Sequence, residues 1–512
     1  ITAVMASTLV LAGCGNKDNP KNAAGAVKME SLKKRTVSEA EAEKALSAMD
    51  LNTSGSGVFK WADRDGSAGN YTYKNVTITG DDGENVTLDM LELKGAHMDG
   101  ELAAFDAISF GGLSAKNEDD NADVKIAKIE LIKPTPALAN AFARTFGGDE
   151  DAFDNIEGPV GFSGFNLVDA KITSDDGNGA LKSMSFGESS DKTGLFSMKG
   201  LDFSTTKDAN VSMSLGSIEG TGLNIEKYKG FFEEGFKSGK NGDEISEDAM
   251  KSIMQSMNMY DPDFRTASIK DFDMNVEGLT VDFDAITAKA DSKGGKTTIT
   301  QSISPVTITP PANPGAEMKE FAEALSTMGY DKMVFSTSQK SILDESTDSM
   351  KVTDSYIELQ DGFKLAFDYD LIGYKAMMEK ATAMGADGND DPMAGLEVLS
   401  EMKFNDFAIS FSDNSIIDRA FKLAASQQGG TPDALKNQAK MGLAFLPMMA
   451  QDEAQQKIAS DLSAGVGKLL EDGGTLTIKL NPETPIDFAA IMQSVQSGSF
   501  DAASLGVSIT HK

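Results

Sequence analysis

Tyr71-Thr72-Tyr73-Lys74-Asn75-Val76-Thr77-Ile78 alternates apolar and polar side chains and runs into Gly80-Asp81-Asp82-Gly83; Val86 to Leu93 then resumes the alternation. A period of two puts every second side chain on one face of a strand, and an Asp/Gly-rich tetrapeptide suits a tight turn. The stretch therefore predicts a β-hairpin. It decides the fold because the device returns. About 94 positions later, Ile172-Thr173-Ser174-Asp175-Asp176-Gly177 repeats Ile78-Thr79-Gly80-Asp81-Asp82-Gly83. Phe105-Asp106-Ala107-Ile108-Ser109-Phe110 has the apolar pattern of Met198 to Phe203 and returns almost verbatim as Phe283-Asp284-Ala285-Ile286-Thr287. Ala127-Lys128-Ile129-Glu130 likewise stands beside Gly216-Ser217-Ile218-Glu219.

Each strand group is expected to end in a helix. Pro134-Thr135-Pro136 starts one over Thr135–Phe146, and Tyr228–Lys237 and Ser246–Met259 follow the second group. Ala316–Met328 follows the third, and Gly373–Met384 follows a fourth strand group, Met333–Leu371. After strand Phe404–Phe411 come helices Ile416–Gln427, Asp433–Met449 and Glu453–Leu470. Strand Thr475–Leu480, helix Asp487–Val495 and strand Gly506–Thr510 close the chain. The fold class expected is α+β: a β-rich repeat array of meandering antiparallel strands covered by helices, with a mainly helical C-terminal part. The organisation reads as β-repeat units over 58–160, 161–260 and 261–402 (the last holding units 3 and 4), then a helix-rich part, 403–512. Ahead of them, Ser38 and Glu41 form a capping-box pattern, and Ala42, Ala45, Leu46 and Met49 follow at helical spacing. Asn52 to Gly57 is a linker by composition, and 15–35 reads as a polar, flexible tether.

The chain of 512 residues carries a net charge of −32. Such a charge repels phosphate backbones, so nucleic acid is excluded as a partner. Arginine is scarce, at Arg35, Arg64, Arg144, Arg265 and Arg419, which leaves few forks for bidentate anion recognition. The longest late apolar run, Met441 to Ala450, contains Pro447 and is far too short to span a bilayer.

At the N-terminus, apolar Ile1 to Leu11 leads into Leu11-Ala12-Gly13-Cys14, and polar Gly15-Asn16-Lys17-Asp18-Asn19-Pro20 follows. This resembles the lipobox of bacterial lipoproteins. The resemblance implies a signal peptide over 1–13 and a signal peptidase that recognises Leu11, Ala12 and Gly13. It also implies lipid attachment at Cys14, which would open a tethered segment, 14–57, containing the short helix. No basic region precedes the apolar run, so the signal reads as truncated. Gly15 stands where inner-membrane retention is associated with Asp, so the resemblance points to an outer membrane facing the periplasm. Cys14 is the only cysteine, so no disulfide within one chain is expected and the membrane is reached through the lipid.

Catalytic signatures are sparse. His97 lies in a sequence that reads as a turn, and His511 is penultimate and expected to fray. There is no Gly-x-Ser-x-Gly elbow, His-Glu-x-x-His or phosphate-binding glycine loop. Asp63-x-Asp65-Gly66, Asp81-Asp82-Gly83, Asp175-Asp176-Gly177 and Asn389-Asp390-Asp391 offer oxygens but lack EF-hand spacing, and Asp-Gly is also turn chemistry. No catalytic residue, cofactor or metal is assigned. Paired carboxylates keep a hydrolase as the third reading, although Trp61 is the only tryptophan available to stack on a sugar.

Methionine, at 26 residues, is the unusual component: Met250, Met254 and Met257, then Met377, Met378 and Met384, then Met441, Met448 and Met449. Its flexible thioether suits either a packed core or an adaptable apolar groove. The expected function is a non-catalytic, membrane-anchored envelope scaffold or binding protein. The alternative is a periplasmic lipid or amphiphile carrier with an apolar β-groove. That pattern is similar, in fold alone, to the repeating β-groove proteins that move lipids across bacterial envelopes.

Overall fold

In the computed structural model of the chain, residues 29–79, 85–117, 121–149, 152–153, 156–189, 192–205, 207, 210–225, 260, 262–385, 401–450, 452–490 and 503–512 are described. Strands dominate and pair antiparallel, with helices between strand groups. The chain divides into two compact units: Ile1–Met257 with Asp263–Val276, and Asn258–Pro262 with Glu277–Lys512.

The first unit begins with helix α1, Glu39–Ala48, whose N-cap Ser38 accepts from the Glu41 N–H at 3.3 Å. Strands β1 (Phe59–Lys60) and β2 (Asp63–Ser67) both pair with β3 (Asn70–Thr79). Then come β4 (Asn85–Lys94), the small hairpin β5 (His97–Asp99) and β6 (Leu102–Ala104), β7 (Ala107–Asn117) and β8 (Ala122–Ile132). Helix α2, Pro136–Phe146, follows β8. After it run β9 (Gly164–Thr173), β10 (Gly177–Glu188), β11 (Gly194–Thr205), β12 (Val211–Leu223) and β13 (Thr266–Val276). The order β3-β4-β7-β8-β9-β10-β11-β12-β13 is a meander, each strand antiparallel to the last. β13, expected to open the third repeat, thus joins the first unit through its ladder to β12.

Strict alternation does not hold along these strands. Buried apolar positions on the core face run 71, 73, 76, 78 in β3, then 86, 88, 91, 93 in β4 and 108, 110, 113, 115 in β7, where Ala107 and Ser109 are buried as well. Each strand therefore holds one extra outward residue. The ladders skip these residues in a single row: Asn75, Asp89, Gly112, Ala127, Asp169, Lys182, Gly200, Gly216 and Asp271. Alternate members have positive φ: Asn75 (52°), Gly112 (65°), Asp169 (46°), Gly200 (64°) and Asp271 (46°). Asn, Asp and Gly are the residues that tolerate this conformation. At Gly112 there is no alternative, since a Cβ would collide with the Asp89 carboxylate. Because every strand kinks in the same row, register is kept and apolar side chains stay on one face.

That face is closed at the N-terminal end. Ala42, Ala45 and Leu46 of α1, and Leu138, Ala139, Ala141 and Phe146 of α2, share one core with Tyr71, Tyr73, Leu91 and Ile108. Phe146 meets Phe59 edge-on at 4.8 Å, and Trp61 meets Tyr73 at 4.9 Å. The expected tether does not extend over 29–35. Met29 is buried with Ala107 and Ile132, its carbonyl accepts from Lys94 Nζ at 2.7 Å, and Arg35 forks onto Asp106. Nor is Asn52–Gly57 a free linker, since Ser54 and Ser56 hydroxyls bond the backbone of Trp61, Asp50 and Thr53.

The second unit carries β14 (Leu279–Lys293), β15 (Lys296–Thr309), α3 (Ala316–Met328), β16 (Met333–Asp344), β17 (Ser349–Leu359), β18 (Phe363–Ile372) and α4 (Tyr374–Gly385). Beyond these lie β19 (Lys403–Asp413), α5 (Ile416–Gln428), α6 (Pro432–Ala444), α7 (Glu453–Asp472), β20 (Gly474–Leu480), β21 (Ile486–Asp487) and β22 (Val507–His511). The ladders run β14-β15-β16-β17-β18-β19-β20-β22, with β21 against β19. Here the ladders slip by one residue, as at Ile303/Val306, Ser338/Lys340 and Val352/Ser355, which are local bulges.

The single helix expected over Asp433–Met449 is two pieces, α6 and a 3-10 turn, Leu446–Met449, because Pro447 has no N–H to continue the ladder. His511 is not frayed: it pairs with Leu476 in the β20–β22 ladder, and its Nε2 lies 2.7 Å from the Gly473 carbonyl. The C-terminal part, expected to be mainly helical, holds β19 to β22 as well as α5, α6 and α7. The helices expected over Tyr228–Lys237 and Ser246–Met259, the turn at Gly80–Gly83 and most of Asp487–Val495 lie outside the described residues.

Candidate functional site

The register of the second unit builds one continuous apolar face. Ile286, Ile303, Thr337, Ile357, Leu365, Phe411 and Leu476 stand opposite one another from β14 to β20. The adjoining row holds Phe367, Ile409, Ile478 and Ile509, and the next Val352, Tyr369, Phe407, Leu480 and Val507. Phe363 stacks on Phe411 with centroids 5.8 Å apart. Most of these side chains are only half-buried, and Ile357 is 41% exposed. Tyr369 belongs to this face, and burial pushes its phenol above the ordinary value. Among the described residues, cover reaches only the margins. Leu325, Tyr330 and Leu359 make a small core under α3, and Gly465 lets α7 approach so closely that a Cβ would lie 2.7 Å from Leu476 Cδ1. Helices α5 and α6 bury no residue.

The first unit has a smaller counterpart at the far ends of β9 to β13. Ile172, Gly179, Phe203, Met213 and Met274 share a row, with Ile172 47% and Phe203 44% exposed. Gly179 leaves a gap between the two exposed side chains, since a Cβ there would lie 2.9 Å from Ile172 Cγ2. An open depression of about 420 Å³ lies here, lined also by Lys171, Asp202 and Asp273. In both places the exposed apolar side chains are contiguous rather than scattered singly, which makes them candidate binding surfaces.

The residues singled out for chemistry are placed elsewhere. His97 opens β5, with Nδ1 2.7 Å from the Gly95 carbonyl. Asp63 pairs with Lys74 at 3.4 Å, Asp65 accepts from the Gly66 N–H, and Asp175 accepts from Asn121 Nδ2 at 3.0 Å. Among the described residues no three His, Cys, Asp or Glu are grouped to hold a metal. Lys296 Nζ at 2.7 Å and the Ser346 hydroxyl hold Asp344 down at about 2, and Lys440 lowers Glu471. Met377 and Met378 are half-buried in α4, whereas Met250, Met254, Met257 and Asn389-Asp390-Asp391 lie outside the described residues. So do Leu11, Ala12, Gly13 and Cys14. No helix among the described residues is long and apolar enough to cross a membrane.

Sequence reasoning allowed an apolar β-groove without locating it, although the signal is plain in Phe363-x-Leu365-x-Phe367-x-Tyr369-x-Leu371. Alternation says which side chains share a face; it does not say whether anything covers them.

A family model described as an uncharacterized protein matches residues 356–512, a span from within β17 to the C-terminus. No curated protein matches the chain significantly.

Proposed function

We propose that the chain is a membrane-anchored cell-envelope protein whose sheet binds the acyl chains of lipids or similar amphiphiles. The observation that carries this reading is the half-exposed apolar face from Ile286 to Leu476. A scaffold needs no such surface, so the carrier reading is favoured over the scaffold. Aliphatic and aromatic side chains in register offer a track that removes a long hydrocarbon from water at about 25 cal/mol per Å². The reading involves no catalytic residue, cofactor or metal. Strand groups that each end in a helix, at α2, α3 and α4, agree with an array of repeated units. Cys14 supplies the anchor, acylated after cleavage behind Leu11-Ala12-Gly13, and the outer membrane facing the periplasm is the proposed location. The charge of −32 keeps nucleic acid away.

Native mass spectrometry of the purified full chain tests the binding. The expected result is co-purified lipid that a fluorescent fatty acid displaces. Protein that emerges clean and leaves the probe unbound rejects the carrier. Mass spectrometry of the mature N-terminus tests the anchor, with acylated Cys14 expected.

A further inference from the structure

The methionines near the end of α6 are not in any core. Met441 is 62% exposed, Phe445 61%, Met448 77% and Met449 78%. Met441 lies on the last turn of α6, Phe445 caps it, and Met448 and Met449 follow on the 3-10 turn, so the exposed side chains cluster at the helix end. From Met441 to Ala450 no residue is charged, and no side chain offers a hydrogen bond beyond the weak thioether. We propose that this tip inserts into the surface of a lipid bilayer.

Two observations choose a bilayer over another occupant. Specific protein interfaces carry roughly one hydrogen bond per 100–200 Å² and a polar rim, which this run cannot supply from its side chains, whereas hydrocarbon asks for none. The second is charge. In a chain at −32, the segment Ile416–Ala450 that presents the tip holds Arg419, Lys422, Lys436 and Lys440 against only Asp418 and Asp433. Lys436 pairs with Asp418 and Lys440 with Glu471, while Lys422 is exposed. Anionic headgroups repel the acidic body as a whole, whereas this segment, with four basic against two acidic residues, is locally basic and can meet them. Unbranched methionine adapts to the uneven packing of acyl chains. The break at Pro447 turns Met448 and Met449 out on a short 3-10 turn beyond the helix. Bilayer contact at this tip is independent of cargo on the sheet.

The test uses the full chain carrying Cys14→Ser, so that no acyl anchor contributes, and vesicles of phosphatidylethanolamine with phosphatidylglycerol. The protein is expected to float with the vesicles. Phe445→Ser, Met448→Ser and Met449→Ser together should lower the bound fraction about tenfold or more, since each removes a large apolar contact. The far-UV spectrum should remain that of the parent, because all three positions are exposed. In the same background Met449→Cys gives the chain a single thiol for an environment-sensitive fluorophore, whose emission should shift to the blue on adding vesicles. Absence of both flotation and shift overturns the proposal. So does a shift that grows with protein concentration without vesicles, which would assign the tip to a second copy of the chain. Fatty-acid binding measured without vesicles reads the sheet separately, so the two proposals fail independently.

Discussion

The two units use the same antiparallel meander but finish it differently. In the first, α1 and α2 close over the strands, and side chains such as Leu91 and Ile108 reach 0% exposure. In the second, the comparable face is longer, yet its densest core is Leu325, Tyr330 and Leu359 at one margin. The row of kinks in the first unit preserves register, with one separate slip at Gly194/Leu195, while several irregularities of the second unit shift it by one residue. The difference teaches that alternation alone builds a sheet, whereas a covering helix turns its apolar face into a core. Where cover is lacking among the described residues, the same side chains become a surface for something else.

The widest gap between the units should appear on truncation. Leu91→Ala removes a fully enclosed side chain and is expected to cost between about 2 and 5 kcal/mol. Phe367→Ala, on the half-exposed face, should cost roughly 1.5 kcal/mol or less, because much of the ring already meets solvent. Urea denaturation measures both by circular dichroism, and Trp61, packed on Tyr73, adds a fluorescence signal specific to the first unit. Equal costs would show that the second face is covered after all. Phe367→Ala should instead weaken fatty-acid binding, which Leu91→Ala should spare wherever the protein remains folded.

Much of this architecture was legible. The Ser38/Glu41 box located α1, and the helix expected over Ala316–Met328 is found there. Strand positions followed from the alternation that holds on either side of each kink. What stayed hidden depends on distant partners. A run containing Lys33, Lys34 and Arg35 looks like a tether, since nothing local announces that Met29 meets Ile132 or that Arg35 meets Asp106. His511 lies too near the chain end to suggest that Leu476 pairs with it. The candidate site was half visible: its apolar positions could be read, but their exposure is a property of the packed molecule.

Helix attachment gives a smaller contrast. In the first unit α1 is held by burial, whereas α5 is held by Arg419. That guanidinium donates to the carbonyls of Met328 at 2.7 Å and Gly329 at 2.9 Å, and lies 4.2 Å from the Tyr330 ring centroid. Arg419→Ala should therefore loosen α5 by roughly 2 kcal/mol, seen as faster amide exchange over 416–428. Unchanged exchange would mean that the helix is buried by contacts other than these. Below that comes the kink row. Gly200 has φ of 64°, and a Cβ there would lie 2.9 Å from Lys182 Cβ, so Gly200→Ala is expected to cost about 1–2 kcal/mol in thermal melts. Asp169→Gly, at another positive-φ member of the row that already carries a side chain, should change stability by less than that.

The smallest effect lies where the first unit is closed. Tyr71 is buried on β3, and its hydroxyl donates to Glu39 Oε1 at 3.0 Å, tying α1 to the sheet. Burial, the hydrogen bond and the negative charge of Glu39 all disfavour phenolate and push Tyr71 up to about 12. The folded form thus holds this proton more tightly than the unfolded chain, whose tyrosine titrates near 10.0. The stabilisation is fully present below pH 10 and is lost as pH rises through 12. Tyr71→Phe should lower stability at neutral pH by about 1 kcal/mol, the net worth of one such bond, and should flatten the alkaline decline between those two values. If the variant keeps the full decline, the closing contact is not Tyr71 to Glu39, and the contrast between a latched first unit and an open second one rests on apolar burial alone.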